Sequence, residues 1–205
     1  MSHTVSNRNV ASNRFAHRAA KPSYWLPSIV LAASGLMGAQ SAMALNVNAE
    51  VFQQSESPWD MAFLPDGTMF FTEKCKGLSV RLPSGSVSKL LGVGGSSGYA
   101  ATKNDLFCDG QAGVQGVAVD PDFAKNGFVY LYSSSKGANR TYGGYNNIVM
   151  RMKVNSSLNG VSDIVEIIND LGYKPLKSNH PFGGPGAHNG GRIRFGPDGF
   201  LYVTI

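Results

Sequence analysis

One histidine in a glycine-rich loop has the setting best suited to chemistry in this sequence. His188 lies within the run GGPGAHNGGR at positions 183–192. Glycine has no Cβ, so a backbone of this kind lets a ligand approach closely. An imidazole gains and loses a proton readily near neutral pH, which suits it to proton transfer. The loop is therefore the leading candidate for a reactive site.

Two predicted strands hold this loop at the mouth of a hairpin. Ile193 and Phe195 alternate with Arg192 and Arg194, and this period of two predicts a strand with one apolar and one polar face. The turn sequence GPDG at 196–199 then reverses the chain, because Pro, Asp and Gly each favour tight turns. A second strand of mostly apolar residues completes the hairpin.

The same unit of apolar strand, Pro-Asp turn and aromatic strand occurs three times. Its turns are Pro65-Asp66, Pro121-Asp122 and Pro197-Asp198. Their carboxylates are predicted to cap the turns rather than to catalyse, because each follows a proline in a hairpin. Repeated four-stranded units predict an all-β fold, a β-propeller, of which the chain would form an incomplete ring of about two and a half blades. A two-sheet sandwich would explain the short strands but not the recurring turn.

Further strands and one long loop are predicted around these turns. The predicted strands lie at 49–53, 78–82, 88–91, 147–154 and 164–168. The segment 92–109 is rich in Gly and Ser and is predicted to be a surface loop, because it is too long for a simple connection.

Charge and composition argue against a nucleic-acid-binding protein. The chain has 205 residues, 42% of them hydrophobic, and a formal net charge of +5, which is a globular composition. Four of its basic residues lie in the first 44 positions, which contain no acid: Arg8, Arg14, Arg18 and Lys21. The remaining part carries a net charge of only +1, so nothing in it favours binding to phosphates.

Residues 1–44 have the pattern of an export signal. A basic segment is followed by an apolar stretch over roughly 25–39, and then by the small-residue cleavage pattern SAMA at 41–44. A membrane anchor is the alternative, but Pro27, Ser28, Ser34 and Gln40 interrupt the apolar run, which is short for a span of ~20 residues. We therefore expect a mature domain at 45–205 that is periplasmic or secreted and has no stable membrane span after removal of the signal.

Two cysteines remain in the predicted mature domain. Cys75 and Cys108 would be expected to form a disulfide in an oxidising compartment, and two separate reduced thiols are the alternative. The spacing alone does not decide between them. Two cysteines with one histidine nearby do not make a metal site, and no Asp-x-Asp-x-Asp loop occurs, so no metal ligand is assigned.

Three segments of the chain resemble a known enzyme family. They read WDMAFLPDG at 59–67, GVAVDPDF at 116–123 and HNGGRIRFGPDGFLYVT at 188–204. The resemblance is to the soluble quinoprotein glucose/sorbosone dehydrogenases and covers about 48–205. Members of this family are six-bladed β-propellers that use pyrroloquinoline quinone (PQQ) and calcium to oxidise sugars. The 188–204 segment is the most specific, because Pro-Asp-Gly hairpins occur in many propellers.

The resemblance implies a role for several residues of this chain. His188 matches the general base that takes a proton from a sugar hydroxyl while PQQ accepts the hydride. Gln111 matches a contact to the sugar, and Asn189 and Arg192 flank the base and would help to bind the substrate. Ala187 stands where the glucose enzymes have Asp, so the resemblance leans toward aldose or sorbosone-like sugars.

The cofactor-binding residues of the family do not map onto this chain. The resemblance places the basic residues that hold PQQ and the main calcium ligands in later blades, so no cofactor-binding residue is assigned. The chain is accordingly expected to be the N-terminal part of such an enzyme and to be inactive alone. Neither the sugar nor the electron acceptor follows from the sequence.

Two other functions remain open at this stage, because a fold does not dictate a function. One is a non-catalytic propeller used for binding, which would not need a histidine at the hairpin mouth. The other is a calcium-dependent lactonase-type propeller, which relies on acidic metal ligands that the sequence does not cluster. The His188 loop favours the sugar dehydrogenase over both.

Overall fold

Three β-sheets follow one another along the chain. The computed structural model describes residues 48–174 and 186–205, and the predicted export signal at 1–44 lies outside these residues. Within the described ranges, the regular elements are strands, together with a single helical turn. The fold is all-β, as the alternating sequence pattern predicts.

The first sheet has five strands. They are β1 (Pro58–Phe63), β2 (Met69–Glu73), β3 (Gly77–Arg81), β4 (Val87–Val93) and β5 (Ala101–Lys103). The strands follow one another in the sheet in the order of the sequence. The first four pair antiparallel, and β5 pairs parallel with β4. A four-stranded meander of this kind has the form of one propeller blade.

The second sheet repeats the meander, and the third begins it again. The second sheet contains β6 (Val114–Val119), β7 (Phe128–Lys136), β8 (Tyr145–Val154) and β9 (Val161–Leu171), with the helix α1 (Phe123–Asn126) between β6 and β7. The third is the hairpin of β10 (Ile193–Phe195) and β11 (Leu201–Val203). The described residues thus form two blades and the first hairpin of another.

Two of the three Pro-Asp turns are capped as predicted. The Asp66 carboxylate accepts hydrogen bonds from the backbone N–H and the hydroxyl of Thr68, at 2.9 and 3.1 Å. The Asp198 carboxylate accepts from the Phe200 N–H at 3.1 Å and from the Tyr202 hydroxyl at 2.7 Å. These contacts hold each hairpin closed at its turn.

The prediction that Asp122 caps the second turn is wrong. The capping carboxylate is that of Asp120, which accepts from the Asp122 N–H and from the Asn126 side-chain amide, both at 2.9 Å. The chain here winds into α1, which ends at Gly127 with a left-handed φ of +69°. The Asp122 side chain points outward as a result and pairs with the exposed Lys125 at 2.9 Å.

The main hydrophobic core lies between the first and second sheets. Most of its buried side chains come from alternate positions of the strands, as expected for faces that pack against each other. Leu90 and Leu91 are adjacent because the register between β3 and β4 shifts there. They include Phe70, Leu78, Val80, Leu90, Leu91, Val117, Leu131, Ile148, Met150 and Met152. Burying side chains of this size contributes about 1.5–3 kcal/mol each before the entropy of ordering is subtracted.

A smaller apolar cluster attaches the third sheet to the second. Ile193 is fully buried against Ala118, Tyr132 and Val149. Gly116 of β6 faces the same contact, and a Cβ there would overlap the carbonyl oxygen of Gly191. The backbone that follows the His188 loop therefore lies directly on the inner strand of the second sheet.

Two predictions about the first sheet need correction. Residues 49–53 do not form a strand, because they pair with no other segment, and Val51 and Phe52 instead line an apolar groove beside Trp59. The segment 92–109 is not entirely loop, because Ala101–Lys103 forms β5 and extends the first sheet.

Residues Glu50–Ile205 form a compact unit. Within the residues that the structure describes, no helix has the length and apolar character needed to cross a membrane.

Candidate functional site

His188 lies at the start of the third sheet with its side chain exposed. Its backbone adopts a left-handed conformation, with φ of +58°, which is uncommon for a residue other than glycine. Its N–H donates a hydrogen bond to the side-chain oxygen of Gln111 at 2.8 Å. The structure therefore brings together two residues that lie 77 positions apart in sequence and that were both predicted for the site.

Gln111 sits in a short turn that is itself held in place. The backbones of Asp109 and Ala112 bond to each other across it, and the Gln115 side-chain amide donates to the Gln111 carbonyl at 3.2 Å. Lys74, from the turn after β2, donates to the carbonyl of Gly110. The Gln111 side chain remains exposed beside His188.

Cys75 and Cys108 are joined as a disulfide, with their Cα atoms 5.0 Å apart. The bond links the turn between β2 and β3 to the residues just before the Gln111 turn. It closes a segment of 33 residues in sequence separation. The covalent link thus limits how far the Gln111 turn can move from the first sheet.

Asn189 is almost fully buried, and its polar atoms are used inside the protein. Its side-chain amide donates to the Gly186 carbonyl at 2.5 Å, and its side-chain oxygen accepts from Asn147 at 3.2 Å. Its backbone carbonyl accepts from the Tyr132 hydroxyl at 2.6 Å. The structure therefore gives this predicted substrate contact an internal role in shaping the loop.

Arg192 and Arg194 both pair with one buried carboxylate, that of Asp60. Arg192 contacts it at 2.8 Å, and Arg194 contacts both of its oxygens, at 2.6 and 2.8 Å. The Asp60 side chain is 2% exposed, whereas that of Arg192 is 58% exposed. The predicted substrate contact Arg192 is thus anchored at one nitrogen and remains open to solvent.

Hydrogen bonding and burial determine the protonation of the groups around the site. The hydrogen-bonded Asp60 carboxylate raises the pKa of Arg194 above its usual range. Burial raises the pKa of Tyr132 well above its usual range. The Arg194 guanidinium therefore stays charged, and the Tyr132 phenol keeps the proton that it donates to Asn189.

Aromatic side chains pack beneath the start of the loop. The Tyr173 ring stacks on that of Tyr145 with centroids 5.3 Å apart, and Phe107 packs against both. Gly186 lies directly above this cluster, where an added Cβ would press on the Tyr173 hydroxyl and on Ala112. Glycine at 186 therefore lets the loop approach its aromatic floor closely.

The described residues around His188 fit proton transfer better than they fit the binding of an acidic quinone. The carboxylates of such a cofactor need several basic partners, but Arg194 is held through both of its terminal nitrogens by Asp60, and Lys74 donates to a backbone carbonyl. Arg192 is anchored at one nitrogen and remains partly open. The two buried polar atoms without a hydrogen-bond partner near the loop are Gln115 Oε1 and Tyr173 OH, and both are enclosed. Over 48–174 and 186–205, no three His, Cys, Asp or Glu side chains group together as metal ligands would.

Sequence reasoning did not anticipate three residues that organise this site. Asp60, Tyr132 and Asn147 lie in β1, β7 and β8, far in sequence from the loop that they contact. A signal for Asp60 existed, because it is a lone acid inside a strand-forming run, and two arginines are spaced on one strand face at 192 and 194. No comparable signal marks Tyr132 or Asn147.

Comparison with protein families and curated proteins gives a consistent result. The model of the glucose/sorbosone dehydrogenase family matches residues 55–205. The chain is 26% identical over 189 residues to aldose sugar dehydrogenase YliI of Escherichia coli (strain K12), covering 90% of this chain and 44% of that protein. It is 28% identical over 159 residues to quinoprotein glucose dehydrogenase B of Acinetobacter calcoaceticus, covering 76% and 29%. The chain thus spans less than half the length of either relative.

Solved structures show the same architecture. The PQQ-bound aldose sugar dehydrogenase of Streptomyces coelicolor matches with a TM-score of 0.54 and 22% identity, over 73% of this chain and 38% of that one. The apo form of the soluble aldose sugar dehydrogenase of Escherichia coli matches with a TM-score of 0.53 and 25% identity, over the same shares. The predicted incomplete β-propeller is confirmed.

Proposed function

The chain belongs to the glucose/sorbosone dehydrogenase family, and on that premise we propose that it supplies the proton-accepting site of a PQQ-dependent sugar dehydrogenase. The observation that carries the proposal is the setting of His188. Its imidazole is exposed, whereas its backbone is held by hydrogen bonds. The His188 N–H donates to Gln111, and the carbonyl of the next residue, Asn189, accepts from Tyr132. The proposal concerns the full-length protein, because the chain spans less than half the length of its curated relatives.

In the proposed reaction, His188 accepts the proton of a sugar hydroxyl. An exposed imidazole on a fixed backbone suits this step, because a general base must lie within hydrogen-bond reach of the proton that it removes. PQQ, when bound, would supply the acceptor for the hydride. Because the described residues do not form a binding cradle for PQQ, we propose that this chain alone is inactive. We also propose a calcium requirement, on the basis of the family resemblance.

Gln111 and Arg192 are the proposed contacts to the sugar. The Gln111 side chain is exposed and is bonded to the His188 backbone, so its amide lies beside the base. The Arg192 guanidinium is anchored by Asp60 and otherwise exposed. Ala187 is small and buried next to the base, and we propose an aldose or a sorbosone-like sugar as the substrate class.

We also propose that the protein is exported, with residues 1–44 as a cleaved signal. The disulfide between Cys75 and Cys108 supports this, because disulfides persist mainly in oxidising compartments. N-terminal sequencing of the protein recovered from the periplasm or the medium tests the proposal. A mature N-terminus near residue 45 is expected, and a protein that retains residues 1–44 in the cytoplasm would contradict it.

The proposed role of His188 is tested by replacing it in the full-length protein. His188→Ala is expected to lower kcat by about 10²–10⁴-fold, because this is the usual contribution of a general base. PQQ binding, followed by the quenching of intrinsic fluorescence, is expected to be unchanged. Added imidazole should restore part of the rate, since it replaces the missing base. Near-normal turnover by His188→Ala would refute the assignment.

A further inference from the structure

We infer that Tyr132 and Asn147 are positioning residues that fix the backbone of His188 by holding Asn189. The inference rests on the proposed role of His188 as the base and adds to it the groups that set its position. Neither residue touches the proposed substrate, because both are fully buried. They act through the residue that follows His188 in the chain.

The backbone of His188 needs such support. A φ of +58° at a residue with a Cβ is disfavoured, because the side chain crowds the following carbonyl. Conformations of this kind persist when surrounding contacts over-determine them, and they occur often at functional sites. The two glycines after Asn189 do not supply the constraint, since glycine permits many conformations.

Tyr132 supplies the first constraint. It lies within β7, paired on both sides by β6 and β8, and its side chain has no exposed surface. Its hydroxyl donates to the Asn189 carbonyl at 2.6 Å. Because burial raises the pKa of this phenol, the hydroxyl keeps its proton and remains a donor. The carbonyl that follows His188 is thus bonded to the interior of a rigid sheet.

Asn147 supplies the second constraint through a directed series of hydrogen bonds. The Ser134 hydroxyl donates to the Asn147 oxygen at 2.7 Å, which leaves the Asn147 amide free to donate. That amide donates to the Asn189 side-chain oxygen at 3.2 Å, and the Asn189 amide donates to the Gly186 carbonyl at 2.5 Å. Ser134 and Asn147 face each other across β7 and β8, so the series begins in the sheet and ends in the loop.

His188 is therefore held from two directions. Gln111 accepts from its N–H, and Tyr132 and Asn147 together hold the residue after it. The imidazole itself is free of these bonds and exposed. This arrangement fixes the position of the base and leaves its nitrogen atoms available to a substrate.

The test compares the removal of two tyrosine hydroxyls on the same strand. Tyr132→Phe removes the hydroxyl that holds Asn189 and keeps the ring in the core. Tyr130→Phe is the matched control, because its hydroxyl donates to Asp120 at 3.0 Å, away from the His188 loop. A second variant, Asn189→Ala, removes the side-chain bonds to Asn147 and Gly186. It does not add the backbone freedom of glycine, and Asn189 is not among the residues with a positive φ.

For Tyr132→Phe and Asn189→Ala in the full-length protein, we expect kcat to fall by about tenfold or more with KM little changed, because misplacing a base impairs the chemical step rather than binding. Amide hydrogen exchange at His188 should become about tenfold faster, since the loop opens more often. Tyr130→Phe should leave both quantities at the wild-type value.

Wild-type kcat and wild-type exchange at His188 in Tyr132→Phe would overturn the inference. Equal losses in Tyr132→Phe and Tyr130→Phe would also overturn it, because the effect would then belong to the strand and not to the loop contact. If the wild-type protein oxidises no sugar, the proposed function fails, but the exchange comparison still decides whether Tyr132 holds the loop.

Discussion

The Asp60 carboxylate and the Arg194 guanidinium form a two-pronged ion pair between the first and third sheets. Arg194 Nη2 lies 2.6 Å from Asp60 Oδ1, and Nη1 lies 2.8 Å from Oδ2. The second oxygen also accepts from the N–H of Val117 in the second sheet, at 3.1 Å. Asp60 lies in β1, so its buried carboxylate connects the first sheet to both of the others. The same carboxylate also anchors Arg192 near His188.

Replacing Asp60 with asparagine should loosen this junction. Asp60→Asn keeps the size of the side chain but removes the charge that two guanidinium groups face. We expect the free energy of unfolding to fall by about 2 kcal/mol, less than for a fully buried pair because both arginines are partly exposed. Urea unfolding of the full-length protein measures it.

Asp122→Asn is the matched control for this change. Asp122 pairs with Lys125 at the surface, where both side chains are largely exposed. Its replacement should change the free energy of unfolding by less than about 0.5 kcal/mol. If the two variants lost equal stability, the three-sheet role of Asp60 would be wrong.

The disulfide between Cys75 and Cys108 should stabilise both the fold and the Gln111 turn. The double variant Cys75→Ser/Cys108→Ser is expected to lose roughly 3 kcal/mol of stability, because the unfolded chain is no longer closed into a loop. The KM for the sugar should rise, since Gln111 is less well placed. Urea unfolding and steady-state kinetics measure the two effects, and an unchanged urea midpoint in the double variant would contradict the first.

The local features of the fold followed from the sequence because they depend on short-range rules. The Pro-Asp turns and the alternation of Ile193 and Phe195 with arginines predicted the hairpins, and the structure contains them. The glycines around His188 indicated a loop, and residues 186–192 form neither a strand nor a helix.

The long-range partners in the site could not be predicted in the same way. Whether Tyr132 or Tyr130 would turn its hydroxyl toward the loop depends on how the second and third sheets pack. The family resemblance likewise placed Asn189 among the substrate contacts. Nothing in the sequence around it indicates that its side chain is buried. Its internal bonds depend on Asn147, which lies 42 positions away.

The close approach of Gly116 to Gly191 should make the first of these glycines hard to replace. A Cβ at Gly116 would overlap the Gly191 carbonyl and press on Ile193, so Gly116→Ala must push β10 away from β6. We expect a loss of about 1–3 kcal/mol, which is typical of overpacking, together with a lower kcat because the His188 loop shifts. Gly137→Ala is the control, since its nearest neighbour lies at an ordinary 3.8 Å. Equal behaviour of the two variants would contradict this reading.

Acid should weaken the contact between the first and second sheets. Lys103 and Arg140 each pair with both Asp105 and Glu166, at 2.6 to 3.0 Å, so a four-residue ion network joins the two sheets. The hydrogen bond from Arg140 holds the pKa of Glu166 below its usual value, despite burial. Burial alone would raise the pKa of Asp105, but hydrogen bonds from Lys103 and Ser135 keep it below its usual value.

The sign of the pH dependence follows from these directions. A carboxylate whose pKa is lowered in the folded protein contributes its full stability at a pH above its pKa in the unfolded chain, which is near ~4.3 for Glu and ~3.9 for Asp. This contribution is lost as the pH falls through the pKa of the folded state. The free energy of unfolding should therefore decrease as the pH falls below about 4. Glu166→Gln should be less stable at pH 7 and should lose less on acidification, because one of the titrating groups is gone. Glu56→Gln is the control, since its pair with Lys76 is largely exposed. A Glu166→Gln variant that loses as much stability in acid as the wild type would show that the ion network does not cause the loss of stability at low pH.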